Sequence, residues 1–277
     1  MRIEMLYDAG TAAFSEDRII LSLPFVGVAD GVSGLYLPEE SPTLFNGRTG
    51  GQMAADYLAK AITSAPLGST TEEIFNLANT FIHQEQAPYG FYGRGEIECL
   101  AGTTLALAKI DTEEIEILQC GDCMALWVTS NGKVEMTPNQ VFSHEMEMRT
   151  RIVELMRKHG NDRNKMWQEF TPILATMRRQ RVNRPGGYGL LNGQREAQEM
   201  WQRLVLRRQD IALLLLFTDG LVYPEESGDE DLGQRILVLY RGGGLDAILA
   251  ETRRREERER DTSHIDHAEA SGVAIRF

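Results

Sequence analysis

Long apolar runs are absent from this chain of 277 residues. The longest fully apolar segment, Ile211 to Phe217, is far shorter than the roughly 20 residues that a membrane-spanning helix needs. The first residues, Met1-Arg2-Ile3-Glu4, place an acidic residue where a signal peptide needs an apolar core. We therefore expect a cytoplasmic protein that does not act in or on a membrane.

Basic residues and cysteines are also few. The chain has 29 Lys and Arg against 41 Asp and Glu, a formal charge of -12, which argues against general binding to nucleic acid or to anionic membranes. Its three cysteines do not suggest a disulfide framework. Cys120-Gly-Asp-Cys123 has the spacing of a redox motif, but a strand-like segment follows it instead of a helix. The alternative is two small residues at a strand turn.

Acidic residues beside glycines follow three apolar segments. Leu213 to Phe217 precedes Asp219-Gly220, Pro24 to Ala29 precedes Asp30-Gly31, and Ile115 to Cys120 precedes Gly121-Asp122. Each apolar segment is typical of a buried strand, and a carboxylate at the exit of such a strand is costly unless a cation meets it there. Because oxygen ligands suit Mg²⁺ and Mn²⁺, the repeated pattern predicts carboxylates that converge on one divalent ion or a pair of them.

The order of predicted elements is strands, a helix pair, then strands, which indicates an α+β fold. Thr70-x-x-Glu73 is a capping box that opens the second helix, and Asn131-Gly132 is a hairpin turn. Alternating apolar residues from Gly102 to Met136 predict an antiparallel meander. The other predicted elements are strands at Arg2 to Asp8, Asp17 to Leu23, Ile211 to Phe217 and Ala270 to Phe277, and helices at Gly50 to Ile62 and Leu245 to Arg260.

The region from Pro138 to Trp201 differs in character: it is polar and rich in Met, Arg and Gln, with two or three helical stretches. Near its end lies an arginine cluster, defined by Arg178, Arg179, Arg181 and Arg184. This cluster is either a solvated helix face or a patch that attracts phosphate beside the site.

Taken in order, these motifs resemble the metal-dependent type 2C serine/threonine protein phosphatases of bacteria. The resemblance spans nearly the whole chain, and the region 138–201 falls where that family carries a variable flap. It implies a single domain, 1–277, built as a four-layer α-β-β-α sandwich of two antiparallel sheets flanked by helices. The quoted motifs are Ser15-Glu16-Asp17-Arg18, Val28-Ala29-Asp30-Gly31-Val32-Ser33-Gly34, Gly102-Thr103-Thr104, Gly121-Asp122 and Phe217-Thr218-Asp219-Gly220.

The resemblance also implies a site with two Mg²⁺ or Mn²⁺ ions and a weaker third ion. Asp30 matches the carboxylate that bridges both metals, and Gly31 matches a ligand through its carbonyl oxygen. Asp219 matches a ligand of one metal and Glu16 a ligand of the other, so that Asp30, Asp219 and Glu16 are the expected catalytic residues. Asp122 matches the third-ion site, and Asp17 matches a nearby acid outside the ligand set.

The chain departs from the family pattern in three places. Aligning Ser271 with the Ser or Thr of the final strand puts Ala268 at the expected Asp, which leaves Glu269, then Asp266, as replacements. Thr11, Ala12 and Ala13 occupy the neighbourhood of a phosphate-binding Arg. Val32 stands where many members outside bacteria have a general-acid His, which bacterial relatives commonly lack as well.

The implied activity is hydrolysis of phosphoserine and phosphothreonine on proteins by attack of a metal-bridged water, a dephosphorylation reaction of signalling. One alternative is a catalytically weak, phosphatase-like module that binds phosphoproteins or regulates them. Another is a transition-metal site at His264, Asp266 and His267, although adjacent residues of a strand point to opposite faces.

Overall fold

The computed structural model describes residues 1–11, 13–36, 43–160, 162–228, 230–263 and 267–277. Within these residues the chain forms two five-stranded antiparallel sheets and six α-helices. The strands are β1 (Arg2–Asp8), β2 (Arg18–Ser22), β3 (Phe25–Val32), β4 (Gly102–Ile110), β5 (Glu114–Cys120), β6 (Met124–Thr129), β7 (Val134–Met136), β8 (Gln202–Arg207), β9 (Ile211–Phe217) and β10 (Ala270–Arg276). The helices are α1 (Gly50–Ser64), α2 (Thr71–Gln86), α3 (Phe91–Arg94), α4 (Phe142–His159), α5 (Arg163–Arg181) and α6 (Leu232–Ser263).

The strand β9 occupies the centre of one sheet, whose order is β1-β10-β9-β6-β7. Alternate side chains of β9 pack in opposite directions: Leu213 and Leu215 contact α6, whereas Leu214 and Leu216 contact the other sheet. Antiparallel strands usually alternate between apolar and polar residues, but a strand covered on both faces does not. This double burial explains the continuous apolar run.

Three apolar clusters hold four layers together. One lies between the two sheets and includes Val28, Ile117 and Val273. A second joins α1 and α2 to the sheet β2-β3-β4-β5-β8, and a third joins α6 to the sheet that contains β9. The expected α+β class, with two antiparallel sheets flanked by helices, is confirmed.

The expected meander from β4 to β7 is wrong in one respect. Although β5 pairs with β4 in one sheet, β6 pairs with β9 and β7 in the other. The turn Gly121–Asp122 therefore carries the chain from one sheet to the other. Gly121 has φ +84°, a conformation that glycine adopts at little cost. Alternation of side chains does not reveal which sheet a strand joins, so the crossing was not predicted.

Helix starts follow their capping residues. The side chains of Thr49 and Thr70 each accept a hydrogen bond from the backbone amide of the third residue of α1 and α2, and the side chain of that third residue accepts one from the backbone amide of the cap. The helix α6 begins earlier than expected and breaks at Gly243 and Gly244, where Glu4 accepts a hydrogen bond from the amide of Leu245.

The strand β8 was not predicted. It pairs with β5 at the edge of its sheet, and its residues are exposed or half-buried. An edge strand with little buried surface has no strong apolar pattern. Between β7 and β8, α4 and α5 follow one another inside the region 138–201. Among the helices described, none is long and apolar enough to cross a membrane.

Candidate functional site

Asp30 lies near the end of β3, opposite Thr104 of β4. The hydroxyl of Thr103 donates to the backbone carbonyl of Asp30 at 2.7 Å, which fixes the strand at this point. The next residue, Gly31, has no room for a side chain: a Cβ there would lie 2.5 Å from the carbonyl oxygen of Gly51. The absence of a side chain thus allows the start of α1 to approach the strand that carries Asp30.

Asp219 begins the short 3-10 turn Asp219–Leu221 directly after β9 and Thr218. Thr218 is fully buried, and its hydroxyl donates to Oδ2 of Asp17 at 2.9 Å and accepts from the amide of Ser271 at 2.9 Å. This one hydroxyl ties together the end of β9, the start of β10 and the segment before β2. It thereby fixes Asp219 relative to Asp17.

Asp122 occupies the turn between β5 and β6 that crosses from one sheet to the other. Its Oδ1 accepts a hydrogen bond from the hydroxyl of Thr104 at 2.5 Å. Burial raises the pKa of Asp122, and the hydrogen bond from Thr104 lowers it. Because Thr104 also faces Asp30 across the sheet register, the side of β4 that carries Thr104 adjoins both acids.

The four residues Asp17, Asp30, Asp122 and Asp219, hereafter the aspartate cluster, interact electrostatically. Burial raises the pKa of Asp30 well above its ordinary value, and the charges of the other three members raise it further. The pKa of Asp219 is raised in the same way, first by burial and then by Asp122, by Glu145 of α4 and by Asp17. Asp30 and Asp219 are hydrogen-bonded to each other. The structure therefore brings these two acids, 189 positions apart in the sequence, into direct contact.

Asp17 is 3% exposed, and burial raises its pKa to about 7. The hydrogen bond from Thr218 opposes this increase, whereas the charges of Glu269 and Asp122 add to it. A carboxyl group held in this way is stabilised when a cation lies nearby. Sequence reasoning placed Asp17 near the site but did not identify Thr218 as its partner; the only sequence signal was its position before Asp219.

Glu16 has a different environment. Its Oε1 accepts hydrogen bonds from the hydroxyl of Ser33 at 2.7 Å and from the hydroxyl of Thr49, the N-cap of α1. The carboxylate packs against Gly51, where a Cβ would lie 2.6 Å from Cδ of Glu16. Glu16 thus lies at the N-terminus of α1, where the helix dipole favours an anion. Its role as a metal ligand stays a prediction.

Glu269 lies beside Asp17. Its Oε1 accepts from the hydroxyl of Tyr7 at 2.8 Å, and its Oε2 accepts from the amide of Glu16 at 2.7 Å. These contacts hold the carboxylate between β1 and the segment before β2, and its charge raises the pKa of Asp17. Glu269 remains the candidate for the final ligand, whereas the competing Asp266 lies outside the described residues, as does His264.

The two lower-ranked interpretations gain no support from the described residues. Nδ1 of His267 lies 2.7 Å from Oε2 of Glu256 on α6, so the ring is paired with a structural carboxylate. Cys120 and Cys123 are buried free thiols, and burial raises the pKa of both. A thiol with a raised pKa is a poor nucleophile at neutral pH.

The chemistry of the aspartate cluster fits a divalent cation. Throughout the residues that the structure describes, no group of three or more His, Cys, Asp or Glu side chains already has the arrangement of a metal centre. The carboxyl groups instead repel one another and favour protonation. A hard cation that prefers oxygen ligands would relieve this repulsion. Mg²⁺ is such a cation, and it needs only one or two carboxylates because it keeps several of its waters. The residues that would hold such a cation are Asp30 and Asp219, with Asp122 and the carbonyl of Gly31 as further oxygen ligands.

Comparison with known proteins gives a consistent picture of the fold. No protein-family model and no curated protein matches the chain. Among solved structures, the chain is similar to the serine/threonine phosphatase PstP/Ppp of Mycobacterium tuberculosis (TM-score 0.56, 15% identity, 100% of this chain and 98% of that one). It is also similar to the serine/threonine phosphatase Stp1 of Staphylococcus aureus (TM-score 0.52, 15% identity, 99% of this chain and 94% of that one).

A third similar structure is the catalytic domain of the serine threonine protein phosphatase PstP in complex with two manganese ions (TM-score 0.53, 16% identity, 99% of this chain and 96% of that one). At these identities the similarity concerns the fold, and it extends over nearly the full length of each chain. The chain therefore has the fold of bacterial serine/threonine phosphatases of type 2C, as the sequence resemblance implied.

Proposed function

We propose that this protein is a phosphatase that depends on Mg²⁺ or Mn²⁺ and hydrolyses phosphoserine and phosphothreonine on proteins. The observation that carries the proposal is the convergence of Asp30 on β3, Asp122 in the turn between β5 and β6, and Asp219 in the turn after β9, in a fold shared with bacterial serine/threonine phosphatases. Two expectations stay predictions: the chain as a single domain whose region 138–201 is a variable flap, and a cytoplasmic location.

Each acid of the aspartate cluster has a distinct part in this proposal. Asp30 and Asp219 would hold the cation, together with the carbonyl of Gly31 and the carboxylate of Asp122. Asp17 is kept in place by the hydroxyl of Thr218 and would orient water near the cation. When bound, Mg²⁺ or Mn²⁺ supplies a Lewis acid that lowers the pKa of water and offsets the charge of a phosphate group.

Activity towards a phosphoaryl ester with added Mn²⁺ tests the proposal. We expect turnover by the wild-type chain and a loss of at least a hundredfold in Asp30→Asn and Asp219→Asn, because each substitution removes a charge that holds the cation. Asp246→Asn is the matched control, since Asp246 is exposed on α6 and lies outside the aspartate cluster. Equal activity in all three variants would show that the reaction does not use the cluster.

The alternative of a catalytically weak, phosphoprotein-binding module rests on two departures from the family pattern. Thr11, Ala12 and Ala13 occupy the neighbourhood of the phosphate-binding Arg, and Ala268 and Glu269 stand where the pattern has an Asp. This alternative predicts that Mn²⁺ binds and raises the melting temperature while no ester is hydrolysed. Phosphoserine and phosphothreonine peptides, assayed for released phosphate with Mn²⁺ and then with Mg²⁺, distinguish the two functions.

A further inference from the structure

Arg178 of α5 reaches the loop that leaves the aspartate cluster. Its Nη1 donates to the carbonyl of Ser33 at 2.9 Å and, at 3.4 Å, to the carbonyl of Glu98. Ser33 follows Asp30 by three residues, and its hydroxyl donates to Glu16. The guanidinium group therefore lies at the rim of the proposed site, although it comes from a helix that is distant in the sequence.

Arg178 also interacts electrostatically with groups near the proposed site. Its charge lowers the pKa of Tyr188, which burial and the charge of Asp122 raise. Glu16, whose carboxylate accepts from Ser33, favours the charged form of Arg178. These effects agree with the contact between Arg178 and the carbonyl of Ser33.

In the described part of the chain, Arg178 has no carboxylate partner. The neighbouring Arg179, by contrast, forms an ion pair with Oε1 of Glu98 at 2.8 Å. Among the described residues, only Nη1 of Arg178 has hydrogen-bond acceptors. Its other side-chain nitrogens have none and are not fully buried, so they face accessible space. Burial lowers the pKa of Arg178, which nevertheless stays charged at neutral pH. A partly desolvated cation of this kind favours an anionic ligand.

The helices around Arg178 carry a net positive charge as well. Residues 142–184, which contain α4 and α5, hold ten of the 29 basic residues of the chain but only five of its 41 acidic residues. The rest of the molecule is correspondingly more acidic than the whole. A basic helix pair beside an acidic site attracts anions towards a place where the carboxylates alone would repel them.

We infer that Arg178 binds the phosphate group of the substrate at the rim of the aspartate cluster. The inference rests on the proposed function and adds the residue that recognises the anion. A guanidinium group suits this part because its planar fork donates two parallel hydrogen bonds to phosphate oxygens, which an ammonium group does not. The contact with Ser33 holds one edge of the fork and leaves the remaining donors for the ligand.

Binding of inorganic phosphate to the full chain in the presence of Mn²⁺, measured by calorimetry, tests the inference. Arg178→Met keeps an unbranched apolar stem, Arg178→Lys keeps the charge, and Arg179→Met is the matched control on the next position of the same helix. We expect phosphate affinity to fall about tenfold or more in Arg178→Met, because a hydrogen bond between charged groups is lost. Arg178→Lys should retain part of the affinity, and Arg179→Met should stay within about twofold of the wild type.

Kinetics separate binding from a packing role. With a phosphoaryl ester, Arg178→Met should raise KM by a factor similar to its loss of phosphate affinity. Unchanged phosphate affinity in Arg178→Met would overturn the inference. So would a variant with a lower melting temperature and a lower kcat but an unchanged KM. If the wild type hydrolyses no ester, the proposed function fails. Phosphate binding that still requires Arg178 would then support the inference by itself, and a wild type that binds no phosphate would overturn it.

Discussion

The stability of the metal-free protein should fall as the pH rises from 5 to 8. Asp17 has an ordinary pKa of 3.8 in the unfolded chain and a pKa of about 7 in the folded one. Between these values the folded state binds more protons than the unfolded state, so the free energy of unfolding decreases with pH. Since one pH unit per proton corresponds to about 1.36 kcal/mol and Asp17 is half protonated at pH 7, the interval from pH 5 to pH 7 costs about 2 kcal/mol. This contribution becomes constant above about pH 8, where Asp17 is ionised in both states.

Asp30, Asp122 and Asp219 have pKa values raised in the same direction, and they steepen the decrease. Mn²⁺ should oppose it, because a ligand at a hundred times its Kd stabilises the folded state by about 2.7 kcal/mol. Its effect should be larger at pH 8 than at pH 5, where protons compete for the carboxylates.

Urea unfolding at pH 5, 6, 7 and 8, with a chelator and then with excess Mn²⁺, measures both effects. Asp17→Asn should have a shallower dependence on pH than the wild type, because it removes one of the groups that bind a proton on folding. Asp246→Asn, in which an exposed aspartate is replaced, should keep the slope of the wild type. A metal-free stability that is constant or increases between pH 5 and 7 would refute the reasoning.

Three further substitutions test the packing around the site. Leu215→Ala should lower the free energy of unfolding by about 2–5 kcal/mol in urea titration, because its side chain is fully buried in the central strand. Gly51→Ala should displace Glu16 and lower the activity, whereas Gly242→Ala, where a Cβ meets open space, should leave it unchanged in the same ester assay. Thr70→Ala should destabilise the chain by about 1 kcal/mol through loss of the α2 cap, as thermal unfolding will show.

The sequence predicted those parts of the fold that depend on local chemistry. The boundaries of β9 follow from its apolar run, and the start of α2 follows from the capping box at Thr70. The positions of Asp30 and Asp219 beside glycines indicated a site because a carboxylate at the exit of a buried strand needs a cation. Neither argument requires knowledge of distant contacts.

The remaining features depend on contacts between distant segments. Thr218 donates to Asp17, which lies 201 residues away, and no local pattern signals such a bond. The carboxylate of Glu16 turns towards Thr49 and Ser33 because α1 approaches β3 closely at Gly31. The strand β8 escaped prediction because half-buried edge residues leave no apolar run, as the burial of its residues shows.

The aspartate cluster is best explained by function, since it reduces stability. Its members raise one another's pKa, so each charge that is present at neutral pH opposes folding. Three apolar clusters on either side of the sheets and between them supply the stability that this arrangement requires. Strained groups of this kind occur in folded proteins chiefly where they perform chemistry. Replacing Asp30 with Asn should therefore stabilise the metal-free chain at pH 8 while removing the stabilisation by Mn²⁺, and thermal unfolding with and without the ion measures both effects. A variant that is less stable than the wild type without metal would show that Asp30 serves the fold and not a cation.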